Sequence, residues 1–412
     1  MKKIVILGGG AGGTMVANRL RRSLREHEWS ITVIDRDQWH HYQPGYLFIP
    51  FGLYRKDDVL KPKREFMPPG VDLVIDEITH VDPHAREVTT RRGRTFPYDF
   101  LVVATGCRIV PEEVDGMADG WGDNVHTFYT LDGAVELTEA MKNLERGRLV
   151  LNIAELPFKC PVAPLEFVFL ADWFFTERGV RDAVEIELVT PLSHAFTKPK
   201  AAAVLGDFCE RKNISLVTDF NIGRVSSKEG HIKELGPTGR EVAFDLLVAI
   251  PPNFGAAVIE DSEMDGGGGG YVQTDKQTLR ATEYDNIYVV GDGSDIPTSK
   301  AGSVAHFASE ILCENLLREI DGKQPLPKFD GHANCFIESG FEKGILIDFN
   351  YDVEPLPGRF PLPGVGPFAL LQETRTNHWG KMMFKWIYWN VLLKGGDLPL
   401  EPQMSMYGKW AD

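Results

Sequence analysis

The sequence predicts an α/β chain with two Rossmann-like dinucleotide-binding domains, the first discontinuous, followed by a C-terminal region of strands and a helix. Three observations predict it. The chain opens on a buried-type strand, "KIVIL", that runs into "GGGAGG" and then a helical row. Two more buried strands, "YDFLVVATG" and "YDNIYVVGD", end in small or acidic residues but are separated by a long intervening stretch. Within that stretch "RLVLNIA", "VEIELVT" and "FDLLVAI" repeat the strand pattern of the first part, as an internal repeat does.

The first domain is the more fully specified. Gly8, Gly10 and Gly13 fill the places of a G-x-G-x-x-G loop between the strand and the row "TMVANRLRRSLRE". The first glycine allows the tight turn, the second lets backbone approach a pyrophosphate, and the third lets helix pack on strand. The strand "SITVIDR" then ends at Asp35, 22 residues beyond Gly13, suited to a ribose hydroxyl. Ala104, Thr105 and Gly106 close "LVVATG", and Gly291 and Asp292 close "YVVGD". A helix opening at Gly302 follows. These strands place a dinucleotide domain at 1–109 and 284–328, a second one at 110–283, and the C-terminal region at 329–412.

Composition narrows the function. An apolar content of 43% with 25% charge is that of a globular protein, and a net charge of -15 argues against nucleic-acid binding. The five cysteines are scattered without a C-x-x-C pair, so neither a disulfide framework nor a metal site is expected. No signal peptide and no transmembrane span is read from the sequence.

The second domain lacks its own glycine loop. Pro157, Phe158, Lys159, Cys160 and Pro161 occupy the turn, and the next strand ends in Thr190 and Pro191 instead of an acid. Bulk at those places blocks close backbone approach to a pyrophosphate, which argues against a nicotinamide donor. Cys160 offers a replacement. A helix start and the adjacent Lys159 both favour a thiolate, so a lowered pKa is expected there. Glu166, further along that helix, is a candidate proton acceptor. The plainer alternative is that Cys160 packs beneath the turn. Cys335 in "NCFIESG" and Cys107 after the A-T-G turn are the other cysteines of interest. Cys209 and Cys313 sit in apolar helical rows, where core packing is expected. The Pro- and Gly-rich stretch "EPLPGRFPLPGVGPF" reads as a loop. "NHWGKMMFKWIYWNVLLKG" reads as a helix whose aromatics and lysines suit a membrane interface or a packed core.

The glycine motif with Asp35, "ATG", "FKCPVAPLE", "YVVGD", "ANCFIESGFEKGILIDF" and "NHWGKMMFKWIYW" occur in the order found in sulfide:quinone oxidoreductases. The chain resembles that family, within the flavoprotein disulfide reductase-like proteins, over essentially its whole length. The resemblance implies FAD, with Gly8, Gly10, Gly13, Asp35, Ala104, Thr105, Gly106, Gly291, Asp292 and Gly302 at the cofactor. It implies that Cys160 and Cys335, 175 positions apart, carry a sulfur bridge on one flavin face. Hydrogen sulfide is the implied donor and a membrane quinone the acceptor. Glu166 and His194 are candidate proton carriers. Phe336, Phe349, Lys381, Phe384 and Trp386 are candidates for quinone or membrane contact in a peripheral membrane protein. Homo-oligomer formation stays open. Where many members carry a third cysteine and a histidine four residues on, "NVHTFYTLDGA" has Tyr129 and Gly133, which implies a two-cysteine subtype. The alternatives are the flavoprotein subunit of a flavocytochrome c sulfide dehydrogenase and a type II NADH:quinone dehydrogenase.

Overall fold

The computed structural model describes residues 1–266, 268–362, 366–398 and 400–410. The first sheet is parallel throughout. Its strands are β1 (Lys2–Leu7), β2 (Trp29–Asp35), β3 (Val71–Ile75), β4 (Phe100–Val103) and, much later in the chain, Ile287–Val289. That late strand pairs with β4 at one edge, and the order continues through β1 and β2 to β3. Every residue of β4 but the first, and the last four of β1, are buried on both faces, as a parallel sheet covered by helices requires. Helix α1 (Ala11–Ser23) starts directly at the glycine loop.

The second sheet is also parallel. It contains β5 (Val125–His126), β6 (Gly147–Ile153), β7 (Val184–Val189), β8 (Ile214–Val217) and β9 (Leu246–Ile250), with β9 between β5 and β6. Helix α2 (Ala163–Glu177), "APLEFVFLADWFFTE", follows β6. It is apolar almost all round and accordingly buried on most sides, with Pro164 in its first turn where a missing N–H costs nothing. Residues near the end of the expected second domain pack elsewhere. Ile259, Met264, Val272 and Ala281 share a core with Val5, Leu7, Val103 and Val289 of the first sheet. The apolar surface they cover belongs to β1 and β4, so they join the first domain in space.

After helix α3 (Gly302–Ile320) the C-terminal region forms a third sheet. Strands β10 (Ala333–Gly340) and β11 (Lys343–Phe349) are antiparallel neighbours. The stretch expected to be a loop instead contains two strands, β12 (Gly358–Leu362) and β13 (Gly366–Leu370), although residues 363–365 of it lie outside the described residues. Two features overrule the loop reading. Leu370 pairs with Leu346 of β11, and β12 is the edge strand, where Pro361 opposite Pro367 removes no ladder bond the sheet needs. Helix α4 (Arg375–Ile387), capped by the Thr374 hydroxyl, lies across β10, β11 and β13. Helix α2 packs along β10, so the third sheet is held between α2 and α4.

Candidate active site

The glycine loop leaves no room for other residues. Gly8 has φ +95°, and a Cβ there would sit 2.5 Å from the Ala104 carbonyl oxygen; one on Gly13 would meet the Gly8 oxygen at 1.9 Å. A different set of glycines faces open space. A Cβ on Gly10, Gly106, Gly291 or Gly302 would touch nothing within 4 Å. These four lie at the starts of α1 and α3 and at the ends of β4 and the Ile287–Val289 strand, so they line one cradle. The Thr105 hydroxyl is buried there without a hydrogen-bond partner. Helices α1 and α3 both open at the cradle, and unpaired N–H groups at such ends favour phosphate and developing negative charge.

Asp35 is arranged differently from the simple ribose reading. One carboxylate oxygen accepts from Gly9 N (2.6 Å) and from Lys63 Nζ (2.7 Å), and the other from Asp37 N (2.9 Å). Lys63 is itself buried and donates to the Asp37 carbonyl. The acid therefore braces the glycine loop. Lys63 lies 28 residues from Asp35 with no motif to mark it. Lys300 is likewise inside the fold. It donates to the Asp292 and Ser294 carbonyls at 2.9 and 2.7 Å and lies over the Tyr271 ring. The Cys107 sulfur is 3.9 Å from Asp292 Oδ2.

Cys160 and Cys335 are both free thiols, and the same short segment pins each of them. Cys160 N donates to the Lys300 carbonyl at 2.7 Å. The Ser303 hydroxyl, in the first turn of α3, accepts from the N–H of Asn334, the neighbour of Cys335, at 3.4 Å and favours the Cys335 thiolate. Residues 300–303 thus gather two cysteines that are far apart in sequence, at the mouth of the cradle. Cys160 has φ +52°, a left-handed conformation that is costly for a residue with a Cβ and concentrated at functional sites. The Tyr129 hydroxyl donates to its carbonyl at 3.3 Å.

The expected low pKa of Cys160 is not what the site produces. Burial pushes its thiol up to about 12, and the Glu166 carboxylate adds to the rise. Lys159 does not offset this, because its ammonium turns away to the Gln43 amide oxygen (3.0 Å). Cys335 is also pushed up to about 12, by burial first and then by the Cys160 charge, which places the two sulfurs within electrostatic reach. The cation that favours both thiolates is Lys381.

Lys381 forms a buried ion pair with Glu166 (2.6 Å) and donates to the Phe336 carbonyl (3.0 Å). Glu166 also accepts from Glu338 N at 2.8 Å. Burial outweighs the ammonium at Glu166 and raises its pKa, while at Lys381 the carboxylate outweighs burial and holds the ammonium charged. Beside this pair, the Glu338 carboxylate bonds His378 Nδ1 at 2.9 and 3.0 Å.

The structure separates the remaining candidates. Phe336 lies beneath Gly380 and edge-on to Phe368 (5.2 Å), and Phe384 lies near Tyr42 and Tyr388. Lys381 reaches this group through the Phe336 carbonyl, with its ammonium 5.9 Å from the Phe48 ring. Trp386 points outward. Phe349 is buried at the far end of β11 against Phe196 (6.5 Å) and stands apart from that group. His194 is exposed on the loop after β7, and the charged groups acting on Cys160 are Glu166, Lys381 and Asp292.

Comparison with known proteins bears on this geometry. The family model "Pyridine nucleotide-disulphide oxidoreductase" matches residues 2–151. The mitochondrial sulfide:quinone oxidoreductase of Dictyostelium discoideum is 29% identical over 398 residues, covering 95% of this chain and 86% of its own. The chain is similar to sulfide:quinone oxidoreductases over nearly its whole length. The solved sulfide:quinone oxidoreductase of Aquifex aeolicus shares the fold with a TM-score of 0.80 at 19% identity, over 96% of this chain and 92% of that one. A type II NADH:quinone oxidoreductase of Staphylococcus aureus is a more distant relative, 23% identical over 87% of this chain and 92% of its own. FAD is the cofactor of the sulfide:quinone oxidoreductases. The open glycines, the orphan Thr105 hydroxyl and the two converging helix starts fit it.

Proposed function

We propose that this protein oxidises sulfide through Cys160 and Cys335 and delivers the electrons to a quinone. The observation that carries the reading is the pinning of both cysteines by residues 300–303, at the cofactor cradle and beside one buried lysine. Gly8, Gly10, Gly13, Asp35, Ala104, Thr105, Gly106, Gly291, Asp292 and Gly302 hold FAD. When bound there, FAD supplies a two-electron acceptor for the sulfur and a donor for the quinone.

The residues do the rest. The two thiols are first joined as a disulfide, giving up two protons and two electrons to the bound acceptor; hydrosulfide then attacks it, leaving a persulfide on Cys160 and a thiolate on Cys335. Lys381 and the Ser303 hydroxyl stabilise that thiolate in a site whose burial otherwise disfavours it. Joining the persulfide and the thiolate into a trisulfide releases one proton and two electrons. Glu166, whose pKa burial raises, takes that proton. The crowded turn of the second domain keeps a nicotinamide nucleotide out, since Phe158 and Val162 fill it.

The acceptor side is assigned to α4. Trp379, Met383 and Trp386 are 66%, 51% and 62% exposed and recur on one helical face. Among the described residues no helix is long and apolar enough to cross a membrane. The exposed face is the contact of a peripheral protein with a bilayer, and Phe336, Phe384 and Lys381 lie behind it where a quinone enters. The test is anaerobic single-turnover mixing with sulfide. Flavin bleaching is expected to disappear in Cys160→Ser and in Cys335→Ser. Normal bleaching in either variant would remove that cysteine from the mechanism.

A further inference from the structure

The mechanism above uses Glu166 and Lys381 but leaves the adjoining Glu338–His378 pair without a task. Its placement is specific. Glu338 on β10 is 3% exposed, and its own backbone N–H bonds the Glu166 carboxylate. Its carboxylate contributes to the raised pKa of Glu166, so the two acids are electrostatic neighbours. His378 on α4 covers Glu338 and is 19% exposed. It sits next to Trp379, on the rim of the outward face. The groups run inward as His378, Glu338, Glu166 and Lys381, ending at the cysteines and at Phe336.

The reaction has a proton requirement on the acceptor side. Hydrosulfide brings one proton and two electrons. A quinone taking two electrons to become a quinol takes two protons. One proton per turnover must come from water, into a region enclosed by α2, α4 and the third sheet.

We propose that His378 and Glu338 form the entry for that proton, passing it from solvent to the Glu166–Lys381 pair beside the quinone. This rests on the function proposed above. Histidine suits the outer position because it gains and loses a proton near neutral pH. Glu338 suits the inner one because a carboxylate relays a proton without a net charge being left inside. The charged groups around His378 are Glu338 from β10, Glu342 from the following turn, Lys343 of β11 paired with Glu373, and Lys381 on its own helix. Glu338 and Glu342 together raise its pKa, which favours the protonated ring.

The alternative is that the pair merely clamps α4 to β10. His378→Gln and Glu338→Gln separate the two, since glutamine keeps a hydrogen bond and cannot relay a proton. In the holoenzyme the flavin is reduced photochemically, and its reoxidation by a short-chain water-soluble quinone is followed from pH 6 to 9. This reads the quinone half of the reaction whether or not sulfide is the donor. Both variants are expected to slow reoxidation about tenfold or more at pH 8, with recovery toward pH 6 and rescue by added imidazole. That is the range removal of a proton-transfer group produces. Bleaching by sulfide is measured in parallel. Reoxidation at the wild-type rate, or a fall equal at every pH and unrescued by imidazole, would overturn the relay. Failure of sulfide to bleach the wild-type flavin would instead refute the proposed function.

Discussion

Lys381 is the single charge on which the site turns. It offsets two buried thiols and one buried carboxylate. Replacing it by methionine leaves Glu166 without a partner in the interior, and stability to urea is expected to fall by about 3–5 kcal/mol. The same substitution makes both thiolates harder to form. In the wild-type reduced enzyme, alkylation by iodoacetamide should keep rising with pH up to about 11, because burial holds both thiols up to about 12. An ordinary exposed thiol would level off above its pKa of about 8.5. Levelling near pH 9 would contradict the burial argument. Tyr129→Phe removes one hydrogen bond to the Cys160 carbonyl and should cost about 1 kcal/mol. At this scale the sequence was legible where chemistry is local. The glycines and the displaced Cys160 could be read directly. The thiol pKa could not, because it depends on burial and on where Lys159 and Lys381 point. Lys63 and Ser303 carried no motif at all, and Glu338 and His378 lie inside quoted segments where nothing in the sequence marked their roles.

Among the elements, α4 makes the clearest claim. Its inward side meets β10, β11 and β13, and its outward side offers two tryptophans and a methionine. Trp379→Asp combined with Trp386→Asp should abolish co-flotation with lipid vesicles while sulfide still bleaches the flavin. Retained flotation would show that the bilayer contact lies elsewhere. The apolar and aromatic periodicity of this helix was visible in the sequence, but its two sides were not distinguishable without the sheet beneath. The neighbouring hairpin shows the opposite limit. The proline and glycine content of residues 354–368 signalled a loop, and pairing across an edge strand overrode that local preference.

Across the whole molecule, the C-terminal segment closes the structure. Lys409 is fully buried against Asp348 (2.6 Å), which also accepts from His332 (2.8 Å), and the Gly408 carbonyl and Trp410 N–H bond β12 and the residue before it. Burial acts to raise the Asp348 pKa, but His332 and Lys409 outweigh it and hold the acid below its usual 3.8. A depressed carboxyl contributes stability that is complete above the unfolded value and is lost as pH falls through the folded one. The segment should therefore stay protected from proteolysis down to about pH 4 and open below it. Lys409→Met should open it at neutral pH. Such a contact, between positions 61 residues apart with no pattern joining them, leaves no trace in the sequence. The two parallel sheets did leave one, because buried parallel strands read as continuous apolar runs.

The central claim is that sulfur, and not a nicotinamide nucleotide, supplies the electrons. Anaerobic titration of the FAD-loaded protein with sulfide and, separately, with NADH tests it most directly. The geometry at Cys160 and Cys335 predicts that sulfide bleaches the flavin and NADH does not. Bleaching by NADH with no response to sulfide would contradict it.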